Sequence, residues 1–423
     1  MTSYLCAKGV SLHIIKATKF KTVKIMIRFR EKIQQDHLAK RVLISNMLES
    51  TNQVYPTGRA FSLQLSKMYG ASFTTGVSKK GNQHLLTLSM SVVNPHYVNE
   101  NTVLDALQFI KTALFQPDIT SEAFNPDVFK REQINLIHYL EAMNDDRSYF
   151  ASKQLSKLFF TDKNQALPSI ATVDLLKKET AASVYHYYQE MLTNNAIDCF
   201  VLGDVDEAQI KAAFDTYPLA DRKSNPDVFY QQEIREKPIE VIEKKEVAQS
   251  LLQLGFHLPV TYGDKNYLSL QVMNGLLGGF SHSKLFANVR EKESLAYSIS
   301  STFDSFSNFF KISAGIDAQN LERTKALIFE QLNAIKNGDF SEQELEQTKT
   351  MLRNSYYIGQ DSPSNTIELE FVKALIPSRQ MELEDFITAL QHVSKKSIQE
   401  VAQSLTYQTL YFMQGQSLVL NQD

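Results

Sequence analysis

Alternation of apolar with mostly polar positions marks the first clear elements. Val23, Ile25, Ile27 and Phe29 alternate with Lys24, Met26, Arg28 and Arg30, and Leu86, Leu88, Met90 and Val92 alternate with Thr87, Ser89 and Ser91. A period of two sends one set of side chains to one face, as in a half-buried strand. Between these strands Asp36 to Glu49 reads as a helix. Val103, Leu107, Ile110 and Leu114 then recur at helical spacing up to Pro117, and a further helix is expected from Ser121 to Met143. Ala196 to Leu202 is an apolar strand closed by Gly203-Asp204.

The second half runs through the same order. Leu252, Leu254 and Phe256 alternate as a strand, Lys265 to Leu277 reads as a helix, and Tyr297 to Ile316 as a hairpin. A long helix from Asn320 meets a stop at Gly338, and Ser341-Glu342-Gln343-Glu344 has the spacing of a capping box opening the next one. Landmarks pair across the halves. Asn46-Met47-Leu48 and Asn274-Gly275-Leu276 lie 228 residues apart, and Leu86 and Phe310 lie 224 apart. Asp118-Ile119-Thr120 and Asp339-Phe340-Ser341 are separated by 221, Asp145 and Asp361 by 216. An offset that drifts without jumping is expected of two diverged copies of one domain.

Between the copies, Asp221-Arg222-Lys223-Ser224-Asn225-Pro226 and Arg235-Glu236-Lys237-Pro238 are charged and proline-bearing, so 218–245 reads as an exposed linker. The expected organisation is a domain over 1–217, that linker, and a second domain over 246–423. The fold class is α+β: two duplicated domains, each a mainly antiparallel sheet with helices packed on one face.

Composition narrows the function. With 43% hydrophobic residues in 423, the chain can bury sizeable cores. Its formal charge of −3 offers no basic field for nucleic acid or anionic lipid. Cys6 and Cys199 are too few for a disulfide framework or a thiolate zinc site. The first residues lack a signal peptide's basic start and apolar core, and no apolar run nears the ~20 residues of a membrane span. A cytoplasmic protein is expected.

Several chemistries lack their signatures. No two of the nine histidines lie closer than 12 residues, so the i, i+4 pair of a helical zinc site is absent. There is no Walker loop, G-x-G-x-x-G or G-x-S-x-G. Asp145-Asp146 sits between two expected helices, where capping explains it as well as paired-carboxylate chemistry does.

The order strand, helix, Tyr55-Pro56-Thr57, helix ending in Tyr69-Gly70-Ala71, then hairpin resembles the N-terminal domain of the pitrilysin/insulinase peptidase family. The resemblance spans nearly the whole chain and implies half of a clam-like shell. Catalytic members carry H-x-x-E-H on the first helix, where two His bind zinc and the Glu activates water. Aligned on Tyr55-Pro56-Thr57, the two His positions are Val42 and Asn46, and the Glu position is Ser45. A distal Glu that completes the family's site falls near Tyr139, with Glu132 and Glu141 as neighbours. The resemblance therefore implies a non-catalytic chain with no metal of its own.

The segment Gly278-Gly279-Phe280-Ser281-His282-Ser283-Lys284-Leu285-Phe286, running on to Tyr297-Ser298, resembles the family's second domain. There an Arg and a Tyr, at the positions of Arg290 and Tyr297, bind substrate main chain opposite the zinc. Both side chains can donate to a carbonyl gaining charge. A plainer reading makes Arg290 a surface ion pair with a neighbouring Glu and Tyr297 ordinary core. Lys19-Phe20-Lys21-Thr22 and Ser78-Lys79-Lys80-Gly81 resemble a bacterial subgroup associated with aminopentanol modification of elongation factor P.

The leading expectation is a non-catalytic subunit that supplies substrate-binding Arg290 and Tyr297 to a zinc-bearing paralogous partner in a heterodimer. An alternative is a stand-alone peptide-binding or scaffolding protein. A self-sufficient metallopeptidase, perhaps homodimeric, requires metal chemistry that Val42, Ser45 and Asn46 do not offer.

Overall fold

The computed structural model describes residues 1–223, 227–379 and 381–416, so Ser224 to Pro226 of the expected linker lie outside the described residues. Two compact units emerge: one from Met1–Ala142, Pro168–Val228 and Gln360–Leu375, the other from Met143–Leu167, Phe229–Gly359 and the chain from Ile376 on.

The first unit holds strands β1 (Thr2–Ala7), β2 (Val10–Lys16), β3 (Thr22–Lys32), β4 (Ser72–Lys80) and β5 (Gln83–Val93). β6 (Ile119–Thr120) and β7 (Ala123–Phe124) form a small ladder, and β8 (Ala196–Gly203) returns to the main sheet. The main sheet has the order β1-β2-β8-β3-β5-β4, and only the β2–β8 pairing is parallel. The second unit contains β9 (Ile239–Lys245), β10 (Ser250–His257), β11 (Ala296–Asp304), β12 (Phe309–Ile316) and β13 (Thr406–Gly415). Its order is β11-β12-β10-β13-β9, with β13–β9 the parallel pair. The series β4-β5-β3-β8-β2 therefore matches β11-β12-β10-β13-β9 in order and strand sense, as duplication requires.

Alternation fixes which face is buried. Val23, Ile25, Ile27 and Phe29 are each at most 1% exposed, and Leu252, Leu254 and Phe256 share one core with Ile312 and Ala314. Residues of opposite parity serve a second, smaller layer. Ala151 and Leu155 of the helix Arg147–Phe159 pack on Leu251, Tyr411 and Met413. In the first unit the helix Pro363–Leu375 sets Phe371 edge-on against Phe200, with the Arg28 guanidinium 4.3 Å above the Phe371 ring. Glu368 on that helix is held by Arg28 at 2.6 Å and Lys80 at 2.9 Å. These two helices begin 216 residues apart, the offset already seen at Asp145 and Asp361. Each unit thus takes a helical stretch of chain from beyond the expected boundaries at 217 and 246.

The linker expectation needs correction over part of its length. Arg222, Val228, Tyr230 and Gln232 are buried, and Ile239–Lys245 is a sheet strand. The Arg222 guanidinium donates to the carbonyls of Leu192 at 2.9 Å and Asn195 at 3.3 Å, so it caps a helix end while burying its stem. The helix expected from Ser121 instead spans Pro126–Met143, because Ser121 and Glu122 adopt left-handed φ values of 51° and 59° in the turn of the β6–β7 ladder. The capping readings hold. Asp146 Oδ1 accepts from Tyr149 N at 3.0 Å, and Ser341 and Glu344 exchange reciprocal side-chain-to-backbone bonds. Among the described residues, no helix is long and apolar enough to cross a membrane.

Candidate functional site

In the first unit the helix Gln35–Ser50 runs alongside the edge strand β4, and a cleft of about 300 Å³ opens beside them. Val42, Ser45 and Asn46 line it together with Thr75, Gly76 and Val77 of β4. Asn135, Leu136, Tyr139 and Ile170 complete the wall. The helical spacing 42, 45, 46 puts those side chains on one face, and Tyr139 arrives from the helix Pro126–Met143. Of the residues weighed for the distal position, Tyr139 lines the cleft. Glu132 does not; Ser50 Oγ donates to it at 2.8 Å and Arg131 lies 2.9 Å from it.

The chemistry at these positions is unsuited to zinc. Val42 offers hydrocarbon and Asn46 a neutral amide. The Ser45 hydroxyl donates to Thr75 Oγ1 at 3.0 Å, so it is engaged in joining helix to strand. Among the described residues, no group of three or more His, Cys, Asp or Glu side chains gathers to hold a metal ion. Glu49, one turn beyond Ser45, was not anticipated. Its carboxylate accepts from Thr75 N at 2.9 Å, which shows that Thr75 turns its backbone toward the free edge of β4.

Behind the cleft, the same helix is pinned by a buried polar cluster. Arg41 is fully buried, and all five of its N–H donors find acceptors. Nε donates to His84 Nδ1 at 2.8 Å, and Nη2 to the carbonyls of Phe29 at 2.7 Å and His84 at 3.2 Å. Nη1 donates to the Tyr187 hydroxyl at 3.1 Å and to Asn195 Oδ1. Glu31 sits 3.6 Å from Nη1. Burial pushes the Glu31 carboxyl up, but the His37 hydrogen bond and the Arg41 charge outweigh it and hold it down at about 2. No sequence motif marks this cluster.

In the second unit, Arg290 lies on the π-helical turn Leu285–Lys292 and Tyr297 on the edge strand β11. The β11–β12 register shifts between Ala296 and Ser298, so Tyr297 is the extra residue of a bulge. A bulge re-aims its side chain, and Tyr297 is 62% exposed, which rules out the ordinary-core reading. Arg290 Nε donates to the Tyr297 carbonyl at 3.1 Å, and its guanidinium stacks 4.5 Å above Phe286. Arg290 Nη1 also lies 3.3 Å from Glu291, the surface ion pair of the plainer reading. Gly278 supports the arrangement, since a Cβ there would lie 2.7 Å from both N and Oγ of Ser301 on β11.

Residues 178–352 match the family described as Peptidase M16 inactive domain. The chain is 32% identical, over 96% of both lengths, to the probable inactive metalloprotease YmfF of Bacillus subtilis (strain 168). It is 40% identical to a conserved protein of known crystal structure from Enterococcus faecalis V583, with a TM-score of 0.94 over 98% of each chain. A peptidase M16 inactive domain from Pseudomonas fluorescens shares 18% identity and a TM-score of 0.80 over 98% of each chain, a likeness of fold.

Proposed function

This chain belongs to the pitrilysin-type M16 peptidase family as a non-catalytic member, and from that premise we propose that it is one subunit of a two-chain zinc peptidase. Its partner is a paralogous subunit that retains H-x-x-E-H and carries the zinc. In that pairing this chain supplies Arg290 and Tyr297 to hold the main chain of an extended peptide substrate.

The observation that supports this reading is a contrast between the two units. Val42, Ser45, Asn46 and Tyr139 line one cleft without a metal ligand set, whereas Tyr297 stands exposed on a strand bulge with Arg290 bonded to its backbone. A chain that had become purely structural has no need to hold that pair at an open edge. Edge pairing uses main-chain hydrogen bonds and so accepts varied sequences.

The test is a native pull-down of the tagged chain with mass spectrometry of co-eluting proteins. Recovery of a similar-sized protein bearing H-x-x-E-H, with zinc and peptidase activity in the pair, is the expected result. Arg290→Ala then lowers the pair's rate without preventing assembly. A chain that purifies alone, and adds nothing to the activity of a zinc-bearing paralogue supplied to it, overturns the reading.

A further inference from the structure

The phenol of Tyr297 has one proton, and it is directed at Asp317: Oη donates to Oδ1 at 2.8 Å. Asp317 follows the last residue of β12 and makes no cap bond to the turn Ala318–Asn320. The phenol is its hydrogen-bond partner among the described residues. The hydrogen bond to Asp317, and then the Asp317 charge, push the phenol's ionisation up, so the proton stays on Tyr297. What Tyr297 turns to solvent is therefore lone pairs.

Arg290 has the opposite character. Nε is committed to the Tyr297 carbonyl and Nη1 lies beside Glu291, while Nη2 has no partner among the described residues. Phe286 beneath the guanidinium keeps its plane fixed. A donor edge and an acceptor oxygen thus stand near each other on one rim of the sheet. An extended peptide presents the matching groups, carbonyls and N–H groups in alternation along its length.

We propose that Asp317 sets the hydrogen-bond sense of Tyr297, so that this rim grips peptide main chain with Arg290 donating to a carbonyl and Tyr297 accepting from an amide N–H. This rests on the peptide-handling reading above and alters one part of it. From residue types alone, both side chains are expected to donate to carbonyls. With Asp317 in place the pair is complementary, and it discriminates an amide from an ester, whose oxygen cannot donate. Asp317 is a positioning residue here, acting through Tyr297. In Asp317→Asn the amide can donate to the phenol oxygen, which frees the phenol proton and removes the preference for N–H.

Two measurements on the full chain test this. The first is a pH titration of protein labelled with ¹³Cζ-tyrosine, with the Tyr297 resonance assigned by its loss in Tyr297→Phe. The expected result is ionisation above the ordinary 10.0 in the wild type and a return toward it in Asp317→Asn. The second takes a decapeptide that binds the wild-type chain on a random-sequence array and replaces each backbone N–H in turn by an ester oxygen. At one position the ester weakens wild-type binding by roughly fivefold to tenfold, the worth of one hydrogen bond. That loss disappears in Tyr297→Phe and in Asp317→Asn, whose exposed positions leave the fold intact. An ordinary Tyr297 titration, or an ester penalty unchanged in both variants, overturns the proposal. If no peptide on the array binds the wild type, the peptide-handling reading itself fails.

Discussion

Replacing Arg41 by methionine removes the buried guanidinium while keeping an unbranched stem in its place. The wild-type group serves five acceptors from β3, β5 and the stretch around Tyr187 and Asn195, with Glu31 as its counter-charge. Breaking a buried ion pair by deleting one partner costs about 3–5 kcal/mol, because the remaining charge stays out of water. The carbonyls of Phe29 and His84 each lose one of their donors, which acts in the same direction. Against a domain stability of about 5–15 kcal/mol this is a large fraction. With two compact units a single melting temperature is ill defined, so the assay is hydrogen exchange by mass spectrometry on peptides covering β3 and β5, across a guanidinium series. The expected loss is about 3–5 kcal/mol in those peptides. Glu31→Gln added to Arg41→Met should restore about 1–3 kcal/mol relative to the sum of the single changes. A loss below about 1 kcal/mol, or strict additivity of the two, would refute the account of Arg41 as a paired and fully engaged buried charge.

Three further outcomes follow from the same geometry. His84 accepts from Arg41 at Nδ1 and lies 2.9 Å from the Ser169 carbonyl at Nε2, so it is held neutral; burial first, then the Arg41 charge, lower its pKa from 6.5 to about 3. A folded value below the unfolded one means stability falls as pH drops from 6.5 toward 3, by up to about 1.4 kcal/mol per unit. His84→Gln, which can make both hydrogen bonds without titrating, should flatten that slope in exchange measured between pH 4.5 and 6.5, and an unchanged slope contradicts the assignment. Glu49→Ala frees Thr75 N on the edge of β4, so exchange at that amide should quicken by roughly fivefold to tenfold; no change would mean the carboxylate does not occupy the edge in solution. Gly278→Ala forces a Cβ against Ser301 and Leu285, and should cost about 1–3 kcal/mol in the β11 region as read by local exchange, whereas wild-type protection there would show that the strand yields easily.

The elements with clean periodicity were legible beforehand. The alternations at Val23–Phe29 and Leu252–Phe256 lie in β3 and β10, and Gly338 ends its helix with φ of 77°. The family resemblance, not the chain's own periodicity, singled out Val42, Ser45, Asn46 and Tyr139; all four line one cleft, and helical geometry puts three of them on one face. What stayed hidden depends on partners distant in sequence. Arg41, beside Lys40 in a helix of mixed polarity, gives no sign that five acceptors await it. Ile239–Lys245 is rich in charge because it is an edge strand with one neighbour, β13, so its sequence resembles linker. The bulge at Tyr297 arises from a register shift between two strands, a property of the pair that neither strand's own pattern records.

The crossing of helices between the two stretches of chain has a consequence for synthesis. The first unit's sheet waits for Ile367, Phe371 and Val372, buried residues of a helix that begins only at Pro363. Residue 228 is complete long before that, and at 5–20 residues per second the 132 residues to Gln360 take roughly 7–26 s to emerge. Throughout that interval the strand surface around Arg28 and Phe200 is uncovered on the growing chain. Charged Arg28 and Lys80 lie on that surface, where unpaired charge opposes premature association. Severing the gene between residues 228 and 360 would leave the first product lacking a wall of its own core, and the two fragments would need to be made together.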